Sequence, residues 1–123
     1  MKNAINWFEI PVKNFDKAKK FYETILGADM QLMEAMGMKS AFFPAEMESG
    51  GIGGCIIQGE GSEPSPKGSL VYLNGGDDLD IPLSKVKAAG GKILLPKTEI
   101  GPNGFMAHFT DTEGNKIGFH SMK

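Results

Sequence analysis

Hydrophobic and polar positions change period along this chain, and each change marks an element. Asn6 to Val12 is rich in aromatic and β-branched residues and reads as a strand. Lys13-Asn14 turns the chain, and Asn14 is a good N-cap. Phe15, Ala18, Phe21, Tyr22, Ile25 and Leu26 then recur at helical spacing, with Lys17, Lys19, Lys20 and Glu23 on the wet side. The pattern predicts a helix over Phe15 to Leu26, ended by Gly27. Strands follow near Met30 to Ala35, Lys39 to Phe43 and Gly53 to Gln58, with a loop from Pro44 to Gly51.

After Gly59 to Gly68, a ten-residue linker by composition, the order starts again. Ser69 to Asn74 is a strand. Asp78 or Asp80 caps a helix that carries Leu79, Leu83 and Val86 on one face, with Pro82 tolerated in its first turn. Gly90-Gly91 ends that helix. Lys92 to Leu95, Gly104 to Thr110 and Lys116 to Ser121 complete the set. The order is βαβββ, linker, βαβββ. Asn14 and Asp78 stand 64 positions apart, and at that offset Tyr22 matches Val86 and Gly27 matches Gly91. An internal duplication in one α+β domain over 1–123 follows: module one about 1–60, linker 59–68, module two about 69–123.

Composition narrows the function classes. The chain has 123 residues, 41% hydrophobic and 23% charged, as a soluble globular domain requires. Its single cysteine, Cys55, excludes an internal disulfide framework and a multi-cysteine metal site. All thirteen cations are lysines and the net charge is −2, which argues against nucleic acid as a partner. No apolar run reaches the roughly 20 residues a bilayer span needs, so no membrane partner is expected and a cytoplasmic location is the default.

Three segments carry a family resemblance. "FDKAKKFYETILG" resembles the first helix of the vicinal oxygen chelate superfamily, which includes glyoxalase I, extradiol dioxygenases and the fosfomycin- and bleomycin-resistance proteins. "LDIPLSKVKAAGGKIL" resembles its second-module helix, and "DTEGNKIGFH" its closing hairpin. The resemblance implies two βαβββ modules whose eight strands curl into an open cup. It also implies a metal in that cup, held from the first and last strand of each module. Here the first-strand position of module one is Trp7. That of module two is Val71, or Leu70 if Gly75-Gly76 forms a bulge. The closing-strand position is Gly118, and at the end of module one, near Ile56 to Gln58, only Gln58 offers a donor. A divalent transition metal needs about three ligands of His, Glu, Asp or Cys type. No metal at the usual position and no cofactor are therefore expected.

Strand parity nominates what else faces the cup. If Trp7 faces in, so does Glu9, while Phe8, Ile10 and Val12 face the helix. A five-residue hairpin loop, Asp111 to Asn115, pairs Thr110 with Lys116, His108 with Gly118 and Met106 with His120. Phe105, Ala107, Phe109, Ile117 and Phe119 then form an apolar face for the helices. Met106, His108 and His120 share the other face with Trp7 and Glu9. These five residues form the expected ligand site, in one cavity.

Several plain roles compete with that reading. A Glu9–histidine pair can simply hold two modules together, and Trp7 can be pocket wall rather than a stacking platform. The Met-rich segment (Met30, Met33, Met36, Met38, Met47) is either an adaptable lining or sheet-face filler. Glu113 is expected in solvent, and Cys55 in the core. Two functions follow. One is a metal-free protein binding an apolar or aromatic small molecule in the cup, as a homodimer like related family members. The other is a glyoxalase-like lyase or isomerase using Glu9 with His108 and His120, for acid–base chemistry or around a displaced metal.

Overall fold

The computed structural model describes residues 2–123. Eight strands form two mixed four-stranded sheets. The first holds β1 (Trp7–Pro11), β2 (Gln31–Ala35), β3 (Met38–Phe42) and β4 (Gly53–Gln58) in the order β1-β4-β3-β2. The second holds β5 (Val71–Asn74), β6 (Lys92–Glu99), β7 (Phe105–Thr110) and β8 (Lys116–Ser121) in the order β5-β8-β7-β6. In each module the first strand pairs parallel with the last, and the other pairs are antiparallel. A parallel pair needs a long crossover, which helix α1 (Phe15–Leu26) and the later strands provide.

Helix α1 forms where its periodicity puts it. The Asn14 side chain accepts from the Lys17 N–H, and Gly27 ends the helix in the left-handed region (φ 64°), where a Cβ would be strained. Phe15, Ala18, Phe21, Tyr22 and Ile25 are all buried, each large apolar side chain contributing about 1.5–3 kcal/mol. The second helix differs from expectation. It breaks into two single turns, α2 (Asp80–Leu83) and α3 (Val86–Ala89). Asp78 does not cap a continuous helix: its carboxylate accepts from Asp80 N–H two residues on and pairs with Lys97. Pro82 supplies no N–H, and only Leu79, Leu83 and Val86 anchor this segment apart from Pro82 itself. Strand β6 runs four residues past the expected Leu95, with two register shifts that accommodate Pro96 on this edge strand.

The duplication is visible in hydrogen bonds. Val12 N–H donates to Ile57 O at 2.9 Å, and Gly75 N–H donates to His120 O at 2.7 Å. Gln58 Oε1 accepts from Phe15 N–H at the start of α1, and Ser121 Oγ from Leu79 N–H before α2. Strand positions thus correspond at an offset of 63. The extra residue that makes the helix offset 64 lies in the Gly75-Gly76 turn, as the bulge alternative supposed.

One core joins the modules. Phe21 of α1 lies 6.1 Å, ring to ring, from Phe109 of β7, and a Cβ at Gly91 would stand 2.9 Å from Phe21 and 2.5 Å from Thr110 O. Tyr22, fully buried, donates its hydroxyl to Asp111 Oδ2 at 2.6 Å. Asp111 also accepts from the N–H groups of Glu113 and Asn115 and from Asn115 Nδ2, which reaches on to Pro11 O at the end of β1. Glu113, half-buried in its turn, does more than face solvent. Its carboxylate accepts from the N–H groups of Lys13 and Asn14 at the approach to α1, donors the helix cannot satisfy itself. Among the described residues no helix is long and apolar enough to cross a membrane.

Four outcomes are expected. Tyr22→Phe costs about 1–2 kcal/mol in chemical denaturation, and Asp111→Ala about 3 kcal/mol or more, because it strands several buried donors. Gly91→Ala costs about 1–3 kcal/mol by overpacking against backbone. Burial first, then the charge and hydrogen bond of Asp111, hold Tyr22 well above the usual phenol pKa of 10.0. A raised folded pKa contributes stability below the unfolded value that is lost as pH rises past it. In a Tyr72→Phe background, phenolate absorbance should therefore appear only together with alkaline unfolding.

Candidate functional site

The sheet faces turned away from the helices carry the chemistry. In β1, Ile10 is buried on the helix side while Trp7 and Glu9 project from the other face. In β7 and β8 the register is Thr110–Lys116, His108–Gly118 and Met106–His120. Ala107, Phe109, Ile117 and Phe119 are buried against the helices, so both histidines lie on the opposite face.

Module two builds the densest polar cluster there. A Cβ at Gly118 would fall 2.5 Å from the Tyr72 ring, so that ring crosses β8 directly over the glycine. It arrives beside His108: the Tyr72 hydroxyl is 2.7 Å from His108 Nε2 and 3.6 Å from Met106 Sδ. Whichever of oxygen and nitrogen carries the proton donates it. Partial burial, then the Lys116 charge, lower the His108 pKa from its usual 6.5, so the imidazole favours its neutral form. His120 is engaged elsewhere, its Nε2 lying 2.7 Å from Asn103 O.

Module one repeats the row with different residues. Glu9 pairs with Cys55 and Cys55 with Phe42, where module two has Tyr72, Gly118 and His108. Trp7 lies over Gly53, which a Cβ would bring to 3.3 Å from its ring, and meets Phe42 edge-on at 5.5 Å. Glu9 is exposed rather than walled by apolar groups. Cys55 is buried, and that burial, then Glu9, raise its thiol to about 11.

The five expected site residues do not meet in one cavity. Met106 and His120 line a broad groove of about 1150 Å³ that also takes in Tyr72, Asn74, Asp77 and Lys123. Glu9 lines a separate depression of about 200 Å³ with Glu63, Asn115 and Lys116. Trp7 packs with Phe42, and His108 with Tyr72. The reason is topological: β1 and β5 are edge strands of different sheets, and no ladder joins them. The acid–base set of Glu9 with both histidines is not assembled. The Met-rich segment does not line a pocket as a unit either. Met30 is buried, while Met36 is 98% exposed at the tip of the β2–β3 hairpin.

The fold also decides whether the metal of related proteins suits this chain. The hydrogen-bond correspondence gives Leu70, not Val71, as the counterpart of Trp7, and Cys55, not Gln58, as the counterpart of Gly118. Gln58 faces the helix instead, accepting from Phe15 N–H. The four positions thus hold Trp7, Leu70, Cys55 and Gly118, with a Tyr72 ring in the space a carboxylate at 118 would need. This set does not fit a divalent metal. Sequence counting missed Tyr72 and Phe42. The alternation of Leu70, Tyr72 and Asn74 against the buried Leu73 was the signal for the first of them.

Comparison with known proteins agrees with this architecture. Proteins named "Putative glyoxylase CFP32" from Mycobacterium bovis and Mycobacterium tuberculosis are each 26% identical over 114 residues, covering 92% of this chain and 43% of theirs. The chain thus spans less than half the length of these curated relatives. Among solved structures, a glyoxalase/bleomycin resistance protein from Albidiferax ferrireducens superposes with a TM-score of 0.70 at 17% identity, covering 95% of this chain and 97% of the other. The fosfomycin resistance protein of Listeria monocytogenes gives 0.62 at 16% identity, covering 98% and 91%. A glyoxalase I mutant from Zea mays gives 0.67 at 20% identity, covering 95% of this chain and 45% of the other. These structural likenesses concern the fold. The family profile, in contrast, matches residues 4–119, taking in both modules and the closing hairpin. The chain belongs to the Glyoxalase/Bleomycin resistance protein/Dioxygenase superfamily.

Proposed function

We propose that this protein binds a flat, apolar or aromatic small molecule on the sheet faces opposite the helices, without a metal. The observation that carries the reading is the Tyr72 ring laid across Gly118, where a metal-binding side chain would otherwise project. That ring, with Met106 and a neutral-leaning His108, makes an apolar platform with one hydrogen-bonding edge. Aromatic and thioether walls with few polar groups are what flat ligands need. The protein acts as a homodimer in the cytoplasm under this reading. The exposed Leu32 and Met33 of β2 and Ile93 and Leu94 of β6 favour self-association, which light scattering would measure.

Titration with 2-naphthol and acridine, followed by calorimetry and by fluorescence of Trp7, the one tryptophan, should show saturable binding. Tyr72→Ala and His108→Ala should weaken it at least about tenfold, roughly 1.4 kcal/mol, with the fold intact. Failure of both probes to bind, or binding that both variants leave unchanged, would remove the reading. So would stoichiometric zinc, nickel or iron that survives dialysis; its loss on changing His108 or His120 would support a displaced metal.

The pH dependence has a definite sign. A histidine whose folded pKa is lowered contributes stability above the unfolded value near 6.5, and that contribution is lost as pH falls through the folded pKa. NMR titration should put the His108 midpoint below 6.5, and a Lys116→Gln variant should raise it.

A further inference from the structure

The seam between the modules is closed at one end and open at the other. The internal duplication makes the two ends comparable: the β7–β8 connection corresponds to the β3–β4 connection, and Asn115 to Ile52. At the first end the short Asp111–Asn115 loop folds over the seam. Asn115 donates to Pro11 O and accepts from Ser65 N–H, and Glu113 holds the N–H groups of Lys13 and Asn14. A depression of about 200 Å³, with Glu9, Glu63 and Lys116 among its lining residues, remains there. At the second end the loop is longer and its backbone bonds stay within itself, from Ser49, Gly50 and Gly51 back to Glu46 and Met47. With an isoleucine in the asparagine's place, no hydrogen bond among the described residues ties this loop to the end of β5.

What this leaves is an apolar cavity of about 530 Å³ between β1 and β5. Phe8, Leu26, Phe43, Ile52, Val71 and Leu73 are half of its lining residues. Its polar lining residues are Ser69, Asn74 and Tyr72, whose hydroxyl is already held by His108, and no ionisable acid or base other than the Tyr72 phenol lines it. Exposed Ile5 and Leu70 stand among its lining residues. Its apolar side chains lack the dispersion contacts that a packed core supplies. The size falls within the range of small-molecule sites. The same chain fills the corresponding space at the other end, so the fold itself does not require the void.

We propose that this seam cavity is a second binding site, for a neutral small molecule with a hydrocarbon chain and at most one or two hydrogen-bonding groups, as in a medium-chain alcohol. The absence of a charged side chain argues against a carboxylate of the same length, whose charge would be desolvated without a partner. The site is separate from the Tyr72–His108 platform, although Tyr72, Leu73 and Asn74 border both this cavity and the broad groove.

Decan-1-ol and decanoate make a matched pair of probes for the intact chain, read by calorimetry and by methyl NMR. Decan-1-ol should bind saturably, shift the methyl signals of Leu26, Ile52, Val71 and Leu73, and bind at least about tenfold more tightly than decanoate at pH 8. Ile52→Trp and Ile5→Trp fill the mouth rather than hollow the core. Each should cut decan-1-ol binding at least about tenfold while leaving the melting temperature unchanged or higher, and 2-naphthol binding should persist. Shifts confined to Met106 and the His120 ring, equal binding of the two probes, no binding of decan-1-ol, or full binding in both folded tryptophan variants would overturn the proposal. Should one variant fail to fold, the other decides. Loss of 2-naphthol binding alone touches only the platform reading.

Discussion

A buried carboxylate has to be satisfied from every side, and in this protein that requirement falls on Asp111. Its two oxygens receive the Tyr22 hydroxyl, two backbone N–H groups of its own loop and the Asn115 side chain. Tyr22 belongs to the helix of module one, and Asp111 to the closing hairpin of module two. Leaving either group unpaired in the core would cost more than an ordinary hydrogen bond contributes, so the pair fixes how the two modules meet. Phe21 and Phe109 then pack beside it, and Asn115 and Glu113 extend the same loop to the end of β1 and the start of α1.

That single fastening explains the asymmetry elsewhere. The modules share one strand order, yet among the described residues only one hairpin carries the clamp. The end it holds is bridged by hydrogen bonds and keeps only a small depression, whereas the opposite end, with Ile52 and a self-contained loop, borders a larger apolar space. On the faces away from the helices the same divergence appears side by side. Glu9, Cys55 and Phe42 in one module stand where Tyr72, Gly118 and His108 stand in the other. The matching architecture of the two halves gives two equivalent rows of positions, and of the two only the second carries the Tyr72–His108 hydrogen bond.

A recurring local device supports both rows. The strand next to an aromatic residue offers a glycine: Trp7 over Gly53, Phe8 over Gly54 and Tyr72 over Gly118. Each ring uses space that a Cβ on the neighbouring strand would contest, at 2.4 Å for Phe8, 2.5 Å for Tyr72 and 3.3 Å for Trp7, where Met47 Sδ also closes in. In the cases of Trp7 and Tyr72 this moves aromatic surface onto the face where a ligand would rest. It also removes the side chain that could have held a metal at Gly118. The glycine content is therefore more than turn punctuation: three of the 17 glycines are seats for rings.

Periodicity determined a great deal unaided. The span of α1, its Asn14 and Gly27 ends, the β7–β8 register and the helix-facing side of Phe109 and Phe119 follow from local rules of spacing, capping and alternation, which need no knowledge of neighbours. Counting residues from a turn was weaker. It allowed Val71 and nominated Gln58, because a one-residue bulge or a change of strand face reverses which side chain points where. Burial and partners lay beyond the sequence altogether. Glu113 reads as a solvated loop residue until the start of α1 arrives a hundred positions away in the chain to use it. Glu9 shares a face with the histidines by parity, yet it belongs to another sheet. Alternation fixes the side of a strand on which a residue lies. Only the packing of two separate sheets decides which residues on that side come together.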